Sequence, residues 1–501
     1  MWTWLERGRH DSRRGAWSCV CIVLLAQLAL MPTTEMAQAD GPPAIDLYVD
    51  ENTGQVFTKP GPGRTRLGTF KRVDIPPEPP AAPAAAPVAV PPAAPAPAPI
   101  QAEAPAPPAE KGVVDDKAVA DAVQKSLAQK WYERLSIRGY VQMRYTALID
   151  NETDTPWFHP ADRSVRDGAG LFIRRARLIL SGDISDHVYI YLQPDFNALP
   201  ADGDFSVQLR DAYADVSFDQ KKEYRVRVGQ SKVPFGWVNL QSSQNRIPLE
   251  RPEAFNYAVE GERDVGIFGY WAPAEIRERF KYLVRSGLKG SGDYGVVGLG
   301  VYNGQGLNRL DVNNNFHLVG RVTYPFELPN GQFIEPGIQG YWGRFEPRLA
   351  PIGDPPMLPV VENDGVTDRR AAISTVIYPQ PFGLETEWVI GDGPELVNDD
   401  SIQSEFLWGG YVQAFYKYPF QWGIAYPFVR WQYYDGGRKF ARDAPPVLLN
   451  EWDFGVEWAV LPEIELTAVY SFTPTRTNSN EYPYLDIKNG SRVGMQVQWN
   501  Y

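Results

Sequence analysis

Arginine is crowded into one part of this chain: Arg138, Arg144, Arg174, Arg175, Arg177, Arg210, Arg225 and Arg227 all fall between residues 138 and 227, and Lys232 follows directly. A guanidinium stays charged and presents a planar fork of donors that matches the oxygens of a small oxyanion. Several of them lining a narrow wet space would attract an anion and replace part of its water shell. The plainer interpretation of the same cations is a lining ladder, each paired with Asp or Glu across an aqueous interior. Enzymatic chemistry finds little footing. His10, His159, His187 and His317 are scattered without metal-ligand spacing, and there is no G-x-S-x-G elbow, P-loop or dinucleotide fingerprint. No cofactor or metal is implied. The net charge of -12, with no basic helix, argues against nucleic acid as a partner.

The residues around these arginines repeat with period two, as a strand does when one face is wet and the other apolar. In Ser136 to Tyr145 the even positions are polar and the odd ones apolar, glycine or a terminal tyrosine. His187, Tyr189, Tyr191, Gln193 and Asp195 alternate with Val188, Ile190 and Leu192, and Arg225 and Arg227 alternate with Tyr224, Val226 and Val228. The last strand sets Arg492, Gly494, Gln496, Gln498 and Asn500 opposite Val493, Met495, Val497, Trp499 and Tyr501. Its aromatic end resembles the signal by which outer-membrane assembly machinery recognises its clients. On this parity Arg138, Arg144, Arg175, Arg177, Arg225 and Arg227 share the wet phase. Arg174 falls on the other phase, which leaves it an interface, a bulge or a contact between subunits.

No stretch approaches eighteen consecutive apolar residues, so a bundle of membrane helices is excluded. The aromatic content is nonetheless high, with 15 Trp, 26 Tyr and 23 Phe. Transmembrane antiparallel β-barrels look like this: alternation keeps mean hydropathy low, and aromatics gather at the two interfaces. A propeller would show a blade repeat of about 40 residues, which is missing, and a sandwich would not need outward aromatics throughout. A strand count gives about seventeen. Two chain ends on one side of a membrane require an even number, so we expect sixteen strands over 136–501. The surplus lies between Asp264 and Val301, where Trp271-Ala272-Pro273-Ala274-Glu275 breaks the pattern. Leu461-Pro462, Pro379-Gln380-Pro381 and Pro329-Asn330-Gly331-Gln332 are expected tight turns, and Glu346–Asp368, Asp392–Ser404 and Asp435–Asn450 longer loops. The longest early connection, Ser231–Arg263, sets Lys232, Arg246, Arg251 and Arg263 against Glu250, Glu253, Glu260 and Glu262. A loop of that length, rich in Pro and aromatics, suits folding inward to narrow a channel.

Ahead of the barrel, residues 1–39 have the form of a secretory signal: Arg7, Arg9, Arg13 and Arg14, an apolar run, then Ala37-Gln38-Ala39. Both cysteines, Cys19 and Cys21, lie inside it, so the mature protein would carry no thiol. Residues 40–75 give no clear element. The Pro/Ala-rich linker at 76–112 favours polyproline II, and its Pro76–Pro108 core would reach about 100 Å in that form. Over 113–135, Val119, Val123, Leu127 and Trp131 recur at i, i+4 spacing. That segment is either a short trimeric coiled coil or a lone amphipathic helix.

Several motifs occur together in one order: Phe172-Ile173-Arg174-Arg175-Ala176-Arg177-Leu178, Leu209-Arg210-Asp211-Ala212-Tyr213, Val228-Gly229-Gln230-Ser231-Lys232-Val233-Pro234-Phe235-Gly236, Arg263-Asp264-Val265-Gly266, and Leu299-Gly300-Val301-Tyr302-Asn303-Gly304. In these the chain resembles the phosphate-selective porins of the O and P type. The resemblance implies a trimeric, sixteen-stranded barrel in the outer membrane of a Gram-negative cell, passing small phosphate-like anions. Arg174, Arg175 and Arg177 would contribute to the constriction and Lys232 its lysine, with Arg210 and Asp211 a charge pair that tempers affinity. A structural or anchoring barrel, or a non-selective porin, whose N-terminal spacer reaches peptidoglycan or a periplasmic partner, is the second expectation.

Overall fold

The computed structural model describes residues 45–50, 56–57, 64–70, 131–151, 170–197, 206–352, 357–361, 364–398, 400–473 and 490–501. The expected signal (1–39), the linker (76–112) and residues 113–130 of the expected helix lie outside them. Trp131–Arg134 is a single 3₁₀ turn, and Leu135 already belongs to the barrel. Within 40–75, Ile45–Asp50 pairs antiparallel with Val56–Phe57 on one side and Arg64–Phe70 on the other, a small sheet in a unit distinct from the barrel.

Sixteen strands make the barrel. They are β1 (Leu135–Asn151), β2 (Gly170–Asp183), β3 (Val188–Asn197), β4 (Ser206–Ser217), β5 (Tyr224–Lys232), β6 (Arg263–Trp271), β7 (Val297–Tyr302) and β8 (His317–Thr323). There follow β9 (Phe333–Phe345), β10 (Val366–Ile377), β11 (Phe382–Val397), β12 (Ser401–Tyr416), β13 (Gly423–Gly437), β14 (Pro446–Leu461), β15 (Ile464–Thr473) and β16 (Gly490–Asn500). Each pairs antiparallel with the next, and β16 closes on β1 through pairs such as Gln496↔Arg144. Closure leaves no unpaired edge, which is what lets strands cross a membrane. The last residue takes part: Tyr501 and Gly139 exchange both backbone hydrogen bonds, at 2.8 and 3.0 Å.

Alternation along each strand sorts the faces. Ile137, Met143, Leu171, Leu192, Leu299, Leu318, Ile338 and Trp342 are exposed on the outside, while Tyr140, Gln142, Arg144, Arg177 and Glu387 are buried inside. The apolar outside matches lipid, and the polar inside is the lumen.

Two expectations about connections need correction. The segment Asp392–Ser404 is largely strand, and the loop expected at Asp435–Asn450 is shorter, residues 438–445: β11 and β12 pair from Phe382↔Tyr416 to Val397↔Ser401, and β13 pairs with β14 as far as Gly437↔Pro446. The Gly and Pro residues that resemble breakers, Pro394 for one, sit in regular register opposite partners such as Ser404. The surplus strand between Asp264 and Val301 is a helix, α1 (Ala274–Arg285), with Pro273 at its N-cap and Ile276, Phe280 and Leu283 buried.

Close packing inside the wall is tight at one histidine. His317 of β8 is fully buried, its ring nitrogens placed 3.3 Å from the Tyr302 hydroxyl and 3.2 Å from the Arg344 carbonyl. A methyl group on Gly343 of β9 would stand 2.0 Å from the imidazole Cδ2. Gly343→Ala should therefore destabilise the barrel by about 1–3 kcal/mol through overpacking. The midpoint of denaturant unfolding in detergent micelles reads this, and an unchanged midpoint would contradict the packing described.

Candidate functional site

Of the residues singled out in the sequence, Arg144, Arg175, Arg177, Arg225, Arg227, Asp211 and Lys232 are buried on the lumen side of β1, β2, β4 and β5. Arg138 shares the phase of Arg144 but is exposed, its guanidinium 5.8 Å from the Tyr191 ring centre. Arg174, which parity sets on the other phase, and Arg210 both lie at breaks in register. Register slips between β1 and β2 so that Gln142 faces Arg175 and Met143 faces Ile173, which leaves Arg174 as the extra residue of a bulge. The same happens between β3 and β4, where Gln193 faces Asp211 and Pro194 faces Leu209, leaving Arg210 extra. A bulge re-aims the side chain it releases. Arg174 turns to a loop carboxylate and Arg210 donates to the Gly261 carbonyl at 3.1 Å.

The partner of this wall is the connection from β5 to β6, residues 233–262, which folds into the barrel and is buried along most of its length. It holds two short helices, α2 (Trp237–Leu240) and α3 (Glu253–Asn256). Its aromatic residues meet lumen-facing aromatics of the far wall, with Phe235 and Tyr341 ring centres 4.8 Å apart and Phe255 edge-on to Tyr411 at 6.3 Å. The backbone N–H groups of Trp237 and Val238 donate to Glu387 of β11 at 2.5 and 2.8 Å, and that of Glu253 donates to Gln432 of β13 at 2.9 Å. Charge attaches the loop to the near wall. Glu250 is approached by Arg144 Nη1 at 2.8 Å, Arg174 Nε at 2.8 Å and Arg175 Nη2 at 3.0 Å. Glu262 meets Lys232 at 3.2 Å, Arg246 at 3.0 Å, Arg251 at 3.1 Å and Arg263 at 2.5 Å. The loop thus spans the lumen between a cationic wall and an aromatic one.

Burial alone would raise both carboxyls. The charges of Arg174, Arg175 and Arg144 outweigh it at Glu250, as Lys232, Arg251, Arg263 and Arg246 do at Glu262, and both are held well below the usual carboxylate range. Most remaining cations have acidic partners of their own. Arg177 pairs with Asp195 at 2.7 Å, Arg227 with both oxygens of Asp215 at 2.7 and 2.9 Å, and Arg225 with Asp293 at 2.7 Å. Across the lumen, Arg430 pairs with Asp453 at 2.6 Å and Arg370 with Asp368 at 3.1 Å. The expected Arg210–Asp211 pair does not form, because the bulge turns Arg210 to the Gly261 carbonyl and Asp211 is taken by Arg263 at 2.9 Å. Lys232 also donates to the Leu240 and Gln241 carbonyls, at 3.2 and 2.8 Å.

A second insertion comes from the opposite end. After α1 the connection to β7 enters the barrel mouth and reaches strands far from its own: Lys417 donates to the Ser286 carbonyl and Tyr426 to that of Gly287, both at 2.8 Å, and Lys289 pairs with Glu457 of β14. It meets the long loop where Gln241 Nε2 donates to the Lys289 carbonyl at 2.7 Å. Glu250, Glu262, Lys289 and Glu457 thus join the site. The two loop carboxylates were visible as acidic residues in the long connection, whereas Lys289 lay in the stretch whose pairing the sequence left unassigned.

The phosphate-selective porin O and P family matches residues 150–501, and the chain belongs to it. The barrel and the family together define an outer-membrane porin, a channel protein. Among solved structures it is similar to the outer membrane channel DcaP of Acinetobacter baumannii, at 14% identity and TM-score 0.46 over 73% of this chain and 97% of that one. It is also similar to OprB of Pseudomonas putida (7%, TM-score 0.47, 76% and 97%) and to the anion-selective porin from Comamonas acidovorans (12%, TM-score 0.44, 73% and 99%). No curated protein sequence matches it.

Two outcomes follow from the site's electrostatics. A carboxyl with a depressed folded pKa contributes stability that is complete above its unfolded value, about 4.3, and is lost as pH falls below that value. Conductance should therefore change as pH falls below about 4, where Glu262 protonates and releases the loop base from Lys232, Arg246, Arg251 and Arg263. Conductance that is unaffected by acid would contradict this. Lys289→Ala, which unfastens the second insertion from Glu457, should raise single-channel conductance in planar bilayers, and an unchanged conductance would show that this segment does not obstruct the pore.

Proposed function

We propose that this porin passes small anions, phosphate or related oxyanions, drawn inward by lumenal arginine and lysine. The observation that carries the proposal is the convergence of Arg144, Arg174 and Arg175 on a single carboxylate, a donor arrangement suited to an oxyanion. Arg138 would gather ions at the mouth, while Arg177, Arg210, Arg225, Arg227 and Lys232 would extend the positive path. Asp211, through Arg263, would keep binding weak enough for release. Residues 1–39 would direct export, and the linker at 76–112 would let the N-terminal segment reach peptidoglycan or another periplasmic partner. The barrel would assemble as a homotrimer in outer-membrane lipid. An anchoring or non-selective barrel is the second reading, favoured by a loop that spans the lumen and by cations already paired.

Reversal potential in planar bilayers under a KCl gradient decides between them. The wild-type channel should prefer chloride over potassium. Neutralising Arg175, Arg177 and Lys232 to Gln should lower the permeability ratio by about tenfold, equivalent to about 1.4 kcal/mol of lost attraction, in protein that still shows folded-barrel mobility on gels. Absence of conductance in the wild type, or a cation preference, overturns the proposal.

A further inference from the structure

The Glu250 carboxylate is not what holds the loop that carries it. Arg430 Nη1 donates to the Glu250 carbonyl at 2.6 Å, and Arg144 Nη2 to the Leu249 carbonyl at 3.1 Å. Leu249 is seated against Gly494 of β16, where a methyl would stand 2.5 Å from its Cδ1. The backbone is thus fixed by atoms other than the carboxylate, and the side chain is an arm on a fixed support. Its two oxygens face three guanidinium groups. Arg175 and Arg144 turn further donors to the uncharged amides of Gln142 and Gln496, which keeps the forks aimed. Glu250 also lines a small cavity with Thr146, Arg430, Asp453, Ser471 and Arg492.

A carboxylate held by three arginines in the path of an anion is chemically equivalent to a bound solute. We propose that Glu250 is a tethered competitor, occupying an oxyanion site built from Arg144, Arg174 and Arg175, and that a free carboxylate or phosphate passes this point by exchanging with it. Glu250 is then the residue that sets affinity. The tether keeps the arginines ordered and aimed, and it weakens the net hold on a free ion because binding must first displace the arm. Glu262 does not share this role. Its four cationic partners include Arg246, Arg251 and the adjoining Arg263, and it stands at the loop's base with a positive φ of 72°, so its displacement would release the loop itself.

The inference rests on the anion-channel reading, and one experiment separates the two. Chloride current through the full chain is titrated with inorganic phosphate in one arm and acetate, the free counterpart of the Glu250 side chain, in the other. In wild type each should block weakly. In Glu250→Gln the half-blocking concentration should fall at least about tenfold, since removing a unit charge at contact distance strengthens the site by several times RT. In Glu250→Asp, which keeps the charge on a shorter arm, it should stay within a few-fold of wild type. The arm with the larger fall names the preferred oxyanion class. If Glu250→Gln leaves the half-blocking concentration unchanged, or raises conductance while selectivity is lost, Glu250 is a strut and the inference fails while the anion channel stands. If the wild-type channel shows no anion preference, the channel reading fails first.

Discussion

A guanidinium buried away from water costs several kcal/mol unless a carboxylate accepts its donors, and removing one partner of a buried pair is strongly destabilising. That requirement governs the interior of this barrel. The wall from β1 to β5 places Arg144, Arg175, Arg177, Arg225, Arg227 and Lys232 inside with little exposure. The strands themselves supply Asp195 and Asp215 for Arg177 and Arg227. The others depend on carboxylates brought by connections: Glu250 and Glu262 from the long loop, Asp293 from the segment after α1. Charge neutralisation is therefore what fixes where the connections go.

Once the loop is drawn to the cationic wall, its other face must be covered. The far wall does this in two ways. Tyr341, Tyr378 and Tyr411 bury Phe235, Trp237 and Phe255, and Glu387 accepts the free N–H groups at the start of α2. The result is a lumen divided by a strut that is ionic on one side and aromatic on the other. Ionic contacts exchange with solutes of the same charge, whereas aromatic packing has no such competitor. Movement that admits an ion accordingly belongs on the arginine side.

Much of the barrel was legible because a strand with one wet face writes period two into the sequence; the inward arginines follow from it, and the count of about seventeen became sixteen only through the evenness that closure with both ends on one side demands. What was not legible has physical causes. Arg174 and Arg210 are bulge residues, and one extra residue inverts parity at the point where it occurs. Gly391, Gly393 and Pro394 resemble loop residues, yet β11 carries them in register to Val397, because pairing with β12 rather than local propensity decides. The helix α1 was announced by Ile276, Phe280 and Leu283 at i, i+4 and i+7, but Pro273 drew attention as a breaker when it is an N-cap. The long loop's inward course was readable from its length and aromatics. Its division of labour was not, since nothing local distinguishes Glu250 on a fixed support from Glu262 at a hinge.

The claim on which the rest depends is that the long loop lies across the lumen with its apex against β16. Cysteines placed at Leu249 and Gly494, in a chain whose Cys19 and Cys21 are replaced by Ser, test it by cross-linking in the folded, membrane-inserted protein. The structure predicts efficient bridging by a short bifunctional thiol reagent, because Leu249 reaches within contact of Gly494. Folded barrels in which these two positions fail to cross-link would show the loop lying elsewhere and would contradict the account.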